Sequence, residues 1–245
     1  MVKYLTLLYF MVATAALGKE SEAGAKTRFS KDKIYRLYLS ENEESFVGTG
    51  FALKVKDKVI LLTARHICDY AFYESKLNKL YYKLPEDTDF KSIPANKTLR
   101  HRRDDTCYLG KLNSKTKAFS LAESVKVGDQ FWPVGYPGGL PLIATYGTYI
   151  ADFEIEMPYP MPIKRCVKSN TFELRTNLLG MDECYWKGKA SLITAEVLGG
   201  SSGSPILDDD NNVVGMVSAE DTEHFHWCMA VPFKNLKQSV KAFTR

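Results

Sequence analysis

Beyond residue 18 the chain has no apolar run of the roughly 20 residues that a helical membrane span takes, so no later segment reads as one. Histidine is scarce, at four, and the five cysteines show no C-x-x-C or similar spacing, so a zinc framework is excluded and neither metal nor cofactor is expected. Charge is nearly balanced, with 33 Lys and Arg against 29 Asp and Glu, which gives little reason to expect an acidic partner. The one basic run, Lys97 to Arg103, carries Arg100, His101, Arg102 and Arg103 but no interleaved aromatic, and Asp104 and Asp105 end it. That pattern reads as a solvated loop rather than a nucleic-acid surface. Internal repeats and low-complexity segments are lacking too, which excludes a solenoid.

What is there is ordinary globular composition. At 245 residues, with 45% hydrophobic and 25% charged, the chain can bury a core as one large domain or two small ones. Its first 18 residues read as a cleavable secretory signal. Lys3 supplies the positive start, Tyr4 to Leu17 the apolar stretch, and Ala13-Thr14-Ala15 or Ala16-Leu17-Gly18 the small-x-small site. A secreted or periplasmic protein is expected, with no stable membrane association after cleavage; an uncleaved membrane anchor is the lesser alternative. Residues 19–30 are polar and read as a flexible leader. Export permits disulfides. Cys166 and Cys184 are the best pair, closing a polar excursion, and Cys107 reads as a small core residue. An odd cysteine count leaves at least one unpaired within the chain. Asn96-Lys97-Thr98 is a glycosylation sequon if the host is a eukaryote.

From Ile34 onward, short β-type runs alternate with turns. Gly48 to Val55 and Lys58 to Thr63 flank the hairpin-sized gap Lys56-Asp57. Further runs lie at 130–134, 142–150, 191–197, 213–217 and 227–231. Many short strands at this spacing indicate an all-β sandwich or barrel. Only the C-terminus reads as a helix, with Phe233, Leu236, Val240 and Phe243 on one stripe after Pro232.

Three segments supply parts of one chemistry in chain order: Thr63-Ala64-Arg65-His66, Asp105-Thr106-Cys107-Tyr108-Leu109, and Gly200-Ser201-Ser202-Gly203-Ser204-Pro205. Ser202 sits in a Gly-flanked turn as the candidate nucleophile. His66, at the end of an apolar strand, is the candidate base. Asp105 is the candidate acid that orients it, preferred to Asp104 because it leads directly into an apolar run. The N–H groups of Gly200 and Ser202 would face the developing oxyanion. A Gly-x-Ser-x-Gly reading, Gly199 to Gly203 with Asp210 and His224, would suit an α/β-hydrolase elbow. Pro205 and the run of short strands oppose it.

With Gly48-Thr49-Gly50-Phe51, Val134-Gly135-Tyr136-Pro137-Gly138, Val213-Val214-Gly215-Met216-Val217-Ser218 and Ala230-Val231-Pro232 added, the chain resembles a trypsin-like serine protease of the chymotrypsin fold. The HtrA-like and glutamyl endopeptidase branches are the nearest in pattern, and the match runs over roughly residues 45–235. The resemblance implies an all-β fold, a chymotrypsin-like double β-barrel of six strands each with a short C-terminal helix. The protease domain would be 31–245: first barrel about 31–115, second about 120–232, helix about 233–244. It implies a polypeptide substrate and a Ser-His-Asp triad of Ser202, His66 and Asp105. An Ile-Val-Gly-Gly start and an aspartate before the serine, both found in digestive trypsins, are missing here. After residue 245 nothing remains for a PDZ domain, so only the protease module is matched. Residues expected to line the substrate site are Glu196, Ser218, Glu220 and His226: either glutamate would favour Lys or Arg, His226 an acidic side chain. The rival function is a catalytically inactive peptide-binding module on the same fold.

Overall fold

The computed structural model describes residues 29–73, 77–101, 104–158, 166, 172–176, 181–221 and 227–244. Seven antiparallel strands make the first sheet: β1 (Ile34–Tyr38), β2 (Phe46–Val55), β3 (Lys58–Ala64), β4 (Lys79–Lys83), β5 (Lys91–Pro94), β6 (Leu99–Arg100) and β7 (Thr106–Leu112), in the order β5-β4-β1-β2-β3-β7-β6. The β2–β3 hairpin turns at Lys56-Asp57, where Lys56 takes φ +56. In β3, Val59 through Ala64 are all buried, which is why that strand reads as one continuous apolar run.

The second sheet has eight strands: β8 (Gln130–Gly135), β9 (Ile143–Ala144), β10 (Gly147–Pro158), β11 (Phe172–Thr176), β12 (Asp182–Glu196), β13 (Pro205–Leu207), β14 (Val213–Asp221) and β15 (Trp227–Val231). It runs β10-β12-β15-β14-β13-β8-β9, and β8 also pairs with β10. That extra pairing closes a barrel through β8, β10, β12, β15, β14 and β13, the six strands the resemblance implies. The two-residue strand β9 and the appended β11 make up the eight; in the first sheet the two-residue β6 is similarly an edge addition.

Between β7 and β8 the chain is stitched to both sheets. The Phe119 N–H donates to Ala52 O at 2.9 Å and its carbonyl accepts from Lys54 N at 2.8 Å. Val213 N donates to Ser120 O at 2.7 Å, and Ala122 N to Val213 O at 3.0 Å. One hydrophobic cluster therefore crosses from the first sheet to Val134, Tyr136, Leu207, Val213, Met216 and Val231 of the second. Helix α2 (Phe233–Phe243) closes over the seam: Leu236 and Val240 pack into that cluster, and Phe233 packs against the separate core of the second barrel.

Two features depart from the sequence reading. A second helix, α1 (Arg65–Tyr73), follows β3 and buries Ile67, Cys68, Asp69 and Ala71. Nine residues are too few for a helix to be stable alone, so its formation depends on the packing beneath it. Cys107, expected to be a plain core residue, is instead joined to Cys68 in a buried disulfide. The expected Cys166–Cys184 disulfide is formed, and Cys228 is the free cysteine, buried, its thiol pKa pushed up by burial.

Strands β10 and β12 continue past the barrel as an arm with β11 on its edge. A small core of Cys166, Phe172, Cys184 and Trp186 holds it together. Glu156, Glu173, Arg175 and Lys187 form an exposed ion-pair ladder across its strands. The arm reaches the first barrel, where the Arg65 guanidinium lies over the Phe172 ring at 5.0 Å.

Candidate active site

The β3–β7 register, Thr63 opposite Cys107 and Ala64 opposite Thr106, brings the start of α1 against Asp105. Arg65 N donates to Asp105 O at 2.9 Å. His66 then makes two bonds to one carboxylate: its backbone N–H donates to Oδ1 at 2.9 Å, and its Nδ1 lies 2.8 Å from Oδ2. Ser218 Oγ donates to the same Oδ2 at 2.6 Å. The Asp105 side chain is 2% exposed and its carboxylate accepts three hydrogen bonds, whereas His66 keeps 22% of its side chain open. With Nδ1 donating to the carboxylate, Nε2 of the neutral ring is left as the acceptor. Burial pushes the imidazole pKa down, but the charge and hydrogen bond of Asp105 and the charge of Asp69 raise it above the usual histidine value.

Asp69, on the next turn of α1, is buried between Arg65 Nε at 3.2 Å and Arg100 Nη1 at 2.8 Å. Part of the basic run is thus spent on a buried carboxylate. Asp104, the alternative acid, faces elsewhere: Ser239 Oγ of α2 donates to it at 2.6 Å, Thr106 N at 3.1 Å, and His101 Nδ1 lies 3.0 Å away. The Cys68–Cys107 bond joins the residues two positions after His66 and Asp105, so the segments that bear base and acid are covalently tied.

The serine turn can be accounted for peptide by peptide. Gly199 O accepts from Gly138 N at 2.6 Å, and Gly200 O from Thr49 Oγ1 at 3.0 Å. Ser201 O accepts from Ser204 N at 2.9 Å and Ser202 O from Thr49 N at 2.9 Å. A trans peptide points its N–H opposite to its C=O. Fixing the carbonyls of Gly199 and Ser201 therefore aims the N–H groups of Gly200 and Ser202 the other way. Ser201, Gly203 and Ser204 donate to Leu198, Val217 and Ser201, while the N–H groups of Gly200 and Ser202 donate to no described residue. Glycine is required by the backbone here: Gly200 has φ +91 and Gly203 φ +84, and a Cβ on Gly203 would lie 2.1 Å from Thr49 O.

Ser202 Oγ donates to Ser218 O at 3.2 Å, and no hydrogen bond joins it to His66. Ser218 sits at an irregularity of the β14–β15 register, between Val217 and Ala219, where a bulge re-aims its side chain onto Asp105. Sequence reasoning placed Ser218 among the substrate contacts and missed this bond, because it spans 113 positions. Thr49 and Gly138 were likewise quoted only as parts of motifs.

Of the other expected residues, Glu196 is exposed at the end of β12, opposite Trp227, and Glu220 is half-buried on β14, opposite Cys228. His226 lies outside the described residues. Among the described residues no three His, Cys, Asp or Glu side chains gather as metal ligands, and no helix is long and apolar enough to cross a membrane. Strand β13 starts at Pro205, four residues after Ser201, the serine of the Gly-x-Ser-x-Gly reading, so the strand–serine–helix elbow of an α/β-hydrolase is not formed.

The architecture is that of a trypsin-like peptidase, and the chain belongs to that family: the trypsin-like peptidase domain matches residues 48–216. Among solved structures it is similar to the active form of the Rv3671c protease from M. tuberculosis, at 17% identity and TM-score 0.59, covering 86% of this chain and 80% of that one. It is also similar to the HtrA-type protease AlgW with a decapeptide, at 15% identity and TM-score 0.58, covering 90% of this chain and 66% of the other. A third is a serine endoprotease from Yersinia pestis, at 13% identity and TM-score 0.56, covering 89% and 64%. At such identities the likeness is one of fold. No protein of curated function matches the chain.

Proposed function

We propose that this chain is a secreted serine endopeptidase that works through Ser202, His66 and Asp105. One observation carries the reading: at the seam of the two barrels, a serine hydroxyl, two uncommitted N–H groups and an imidazole fixed by a buried carboxylate at 2.8 Å lie on facing elements. In the proposed cycle the Ser202 hydroxyl turns from Ser218 O toward His66 Nε2. His66 takes its proton as the oxygen attacks the peptide carbonyl, and Asp105 stabilises the charged ring. The N–H groups of Gly200 and Ser202 hold the oxyanion. His66 then protonates the leaving amine and later activates the water that releases the acyl group.

The substrate would bind as an added strand. Residues Pro205–Leu207 of β13 pair with β14 only up to Met216, and Ser218, two residues further along β14, accepts the Ser202 hydroxyl on its carbonyl, so this strand runs on past the proposed nucleophile. AlgW, of the same fold, is seen with a decapeptide. Glu196 and Glu220 support a preference for Lys or Arg before the cleaved bond; His226 would support an acidic residue instead. Two disulfides support an extracytoplasmic site of action, with residues 1–18 as the signal and the barrels divided near 115–120.

A second reading, an inactive peptide-binding module, is favoured by one contact: the Ser202 hydroxyl is bonded to Ser218 O rather than to His66. A serine-directed phosphonate decides between them, with wild type beside Ser202→Ala and a mixed peptide library added. Labelling of wild type alone, with peptides cleaved, is the expected result and reads out the pocket preference. Folded wild type that neither labels nor cleaves would leave the binding module.

A further inference from the structure

Thr49 is fully buried, and its polar groups bind the serine turn and the loop behind it. Its N–H donates to Ser202 O at 2.9 Å and its hydroxyl to Gly200 O at 3.0 Å, both across the barrel seam. The hydroxyl oxygen also accepts from Tyr136 N at 3.2 Å. Thr63 Oγ1 donates to Thr49 O at 2.7 Å and fixes this residue on its own barrel. A hydroxyl has one proton. With Tyr136 N–H donating to it, that proton is committed to Gly200 O.

The position matters because the turn it holds is Gly199-Gly200, the least restrained dipeptide a chain can contain. Two anchors define it. Thr49 Oγ1 fixes the peptide that follows Gly200, and Gly138 N fixes the peptide that precedes it. Gly138 is two residues after Tyr136, whose N–H rests on the same Thr49 hydroxyl. Both anchors therefore converge on one side chain of the opposite barrel. Were the preceding peptide to turn over, its carbonyl would face the position where the Gly200 N–H now points, and that donor would be lost.

We propose that Thr49, through its hydroxyl, is a positioning residue that keeps the Gly200 N–H aimed at the reacting carbonyl, so that oxyanion binding depends on the first barrel as well as the second. The proposal rests on the peptidase reading above. It also gives the Gly48-Thr49-Gly50-Phe51 motif a role that neither β2 pairing nor core packing requires, since valine would fill the same space without a hydroxyl.

The test compares wild type, Thr49→Val and Thr49→Ser. Thr49→Val is expected to lower kcat on a peptide amide by on the order of ten- to a hundred-fold with KM changed less than about two-fold, because the lost interaction acts on the transition state. Thr49→Ser, which restores the hydroxyl without the methyl, is expected to recover most of the loss. Backbone amide resonances of Gly200 and Ser202 are read in ¹⁵N-labelled protein alongside. They should move in Thr49→Val and stay near wild type in Thr49→Ser. Wild-type kcat in Thr49→Val, or an equal loss in Thr49→Ser, would overturn the proposal. The resonances keep the test independent of turnover. If the wild type cleaves nothing, the peptidase reading fails, and unmoved Gly200 and Ser202 signals in Thr49→Val would still reject the positioning role.

Discussion

With His66 as the proposed base, loss of its proton should raise turnover and lower stability: burial pushes its pKa down, but Asp105 and Asp69 outweigh it and raise the pKa above the ordinary histidine value of 6.5. The base must be neutral to accept the Ser202 proton, so kcat/KM should fall as pH drops through the raised folded-state pKa. A pH–rate profile should show an acid limb centred above about 6.5. Stability runs the other way. The raised pKa means that the folded state favours the protonated ring, so this stabilisation is fully present below the unfolded-state value and disappears as pH rises through the folded one. Denaturant midpoints measured across the same range should show the opposite slope for this group. Asp105→Asn should cost on the order of ten-thousand-fold in kcat, since an amide cannot hold the imidazole in the donating tautomer. Single-turnover hydrolysis by the purified variant checks it. The meeting of His66 with Asp105 and the Gly-flanked turn around Ser202 were legible in the sequence because each lies in a short motif whose spacing is local. The contacts of Thr49 and Ser218 were not, because they join residues 151 and 113 positions apart.

Among the elements, β3, β7 and α1 set His66 against Asp105, and the Cys68–Cys107 bond ties them. Its buried sulfurs bridge a sequence separation of 39, for which the chain-entropy argument gives about 4 kcal/mol. Cys68→Ala/Cys107→Ala should lose stability of that order in denaturant unfolding and turnover with it, whereas Cys166→Ala/Cys184→Ala should loosen the arm with a smaller effect on His66. Comparing phosphonate labelling rates of the two double variants tests the ranking. Neither α1 nor its disulfide was legible. The sequence from Arg65 to Tyr73 puts Asp69 among its buried positions, and an acidic residue argues against burial until Arg65 and Arg100 are seen on either side of it. Strands β2, β3, β8, β14 and β15 were legible, because short apolar runs bounded by turn residues show in the chain itself.

For the molecule as a whole, the seam between barrels decides whether the site exists. Gly203→Ala would place a methyl 2.1 Å from Thr49 O at a residue held at φ +84, so it should abolish labelling at Ser202 and lower the melting temperature. Labelling and calorimetry on the same sample measure both. The fold class could be read from strand spacing and motif order, whereas the facing of two barrels came only with the family resemblance, since it rests on pairings such as Thr49 with Ser202 that no local pattern encodes. Asp104, which shares a peptide bond with Asp105, has its carboxylate capped by Ser239, 135 positions later in synthesis. A growing chain carries His66, Asp105 and Ser202 well before it carries Ser239. Until α2 has emerged and docked, the Asp104 carboxylate, one residue from Asp105, waits without the hydroxyl that caps it in the folded protein.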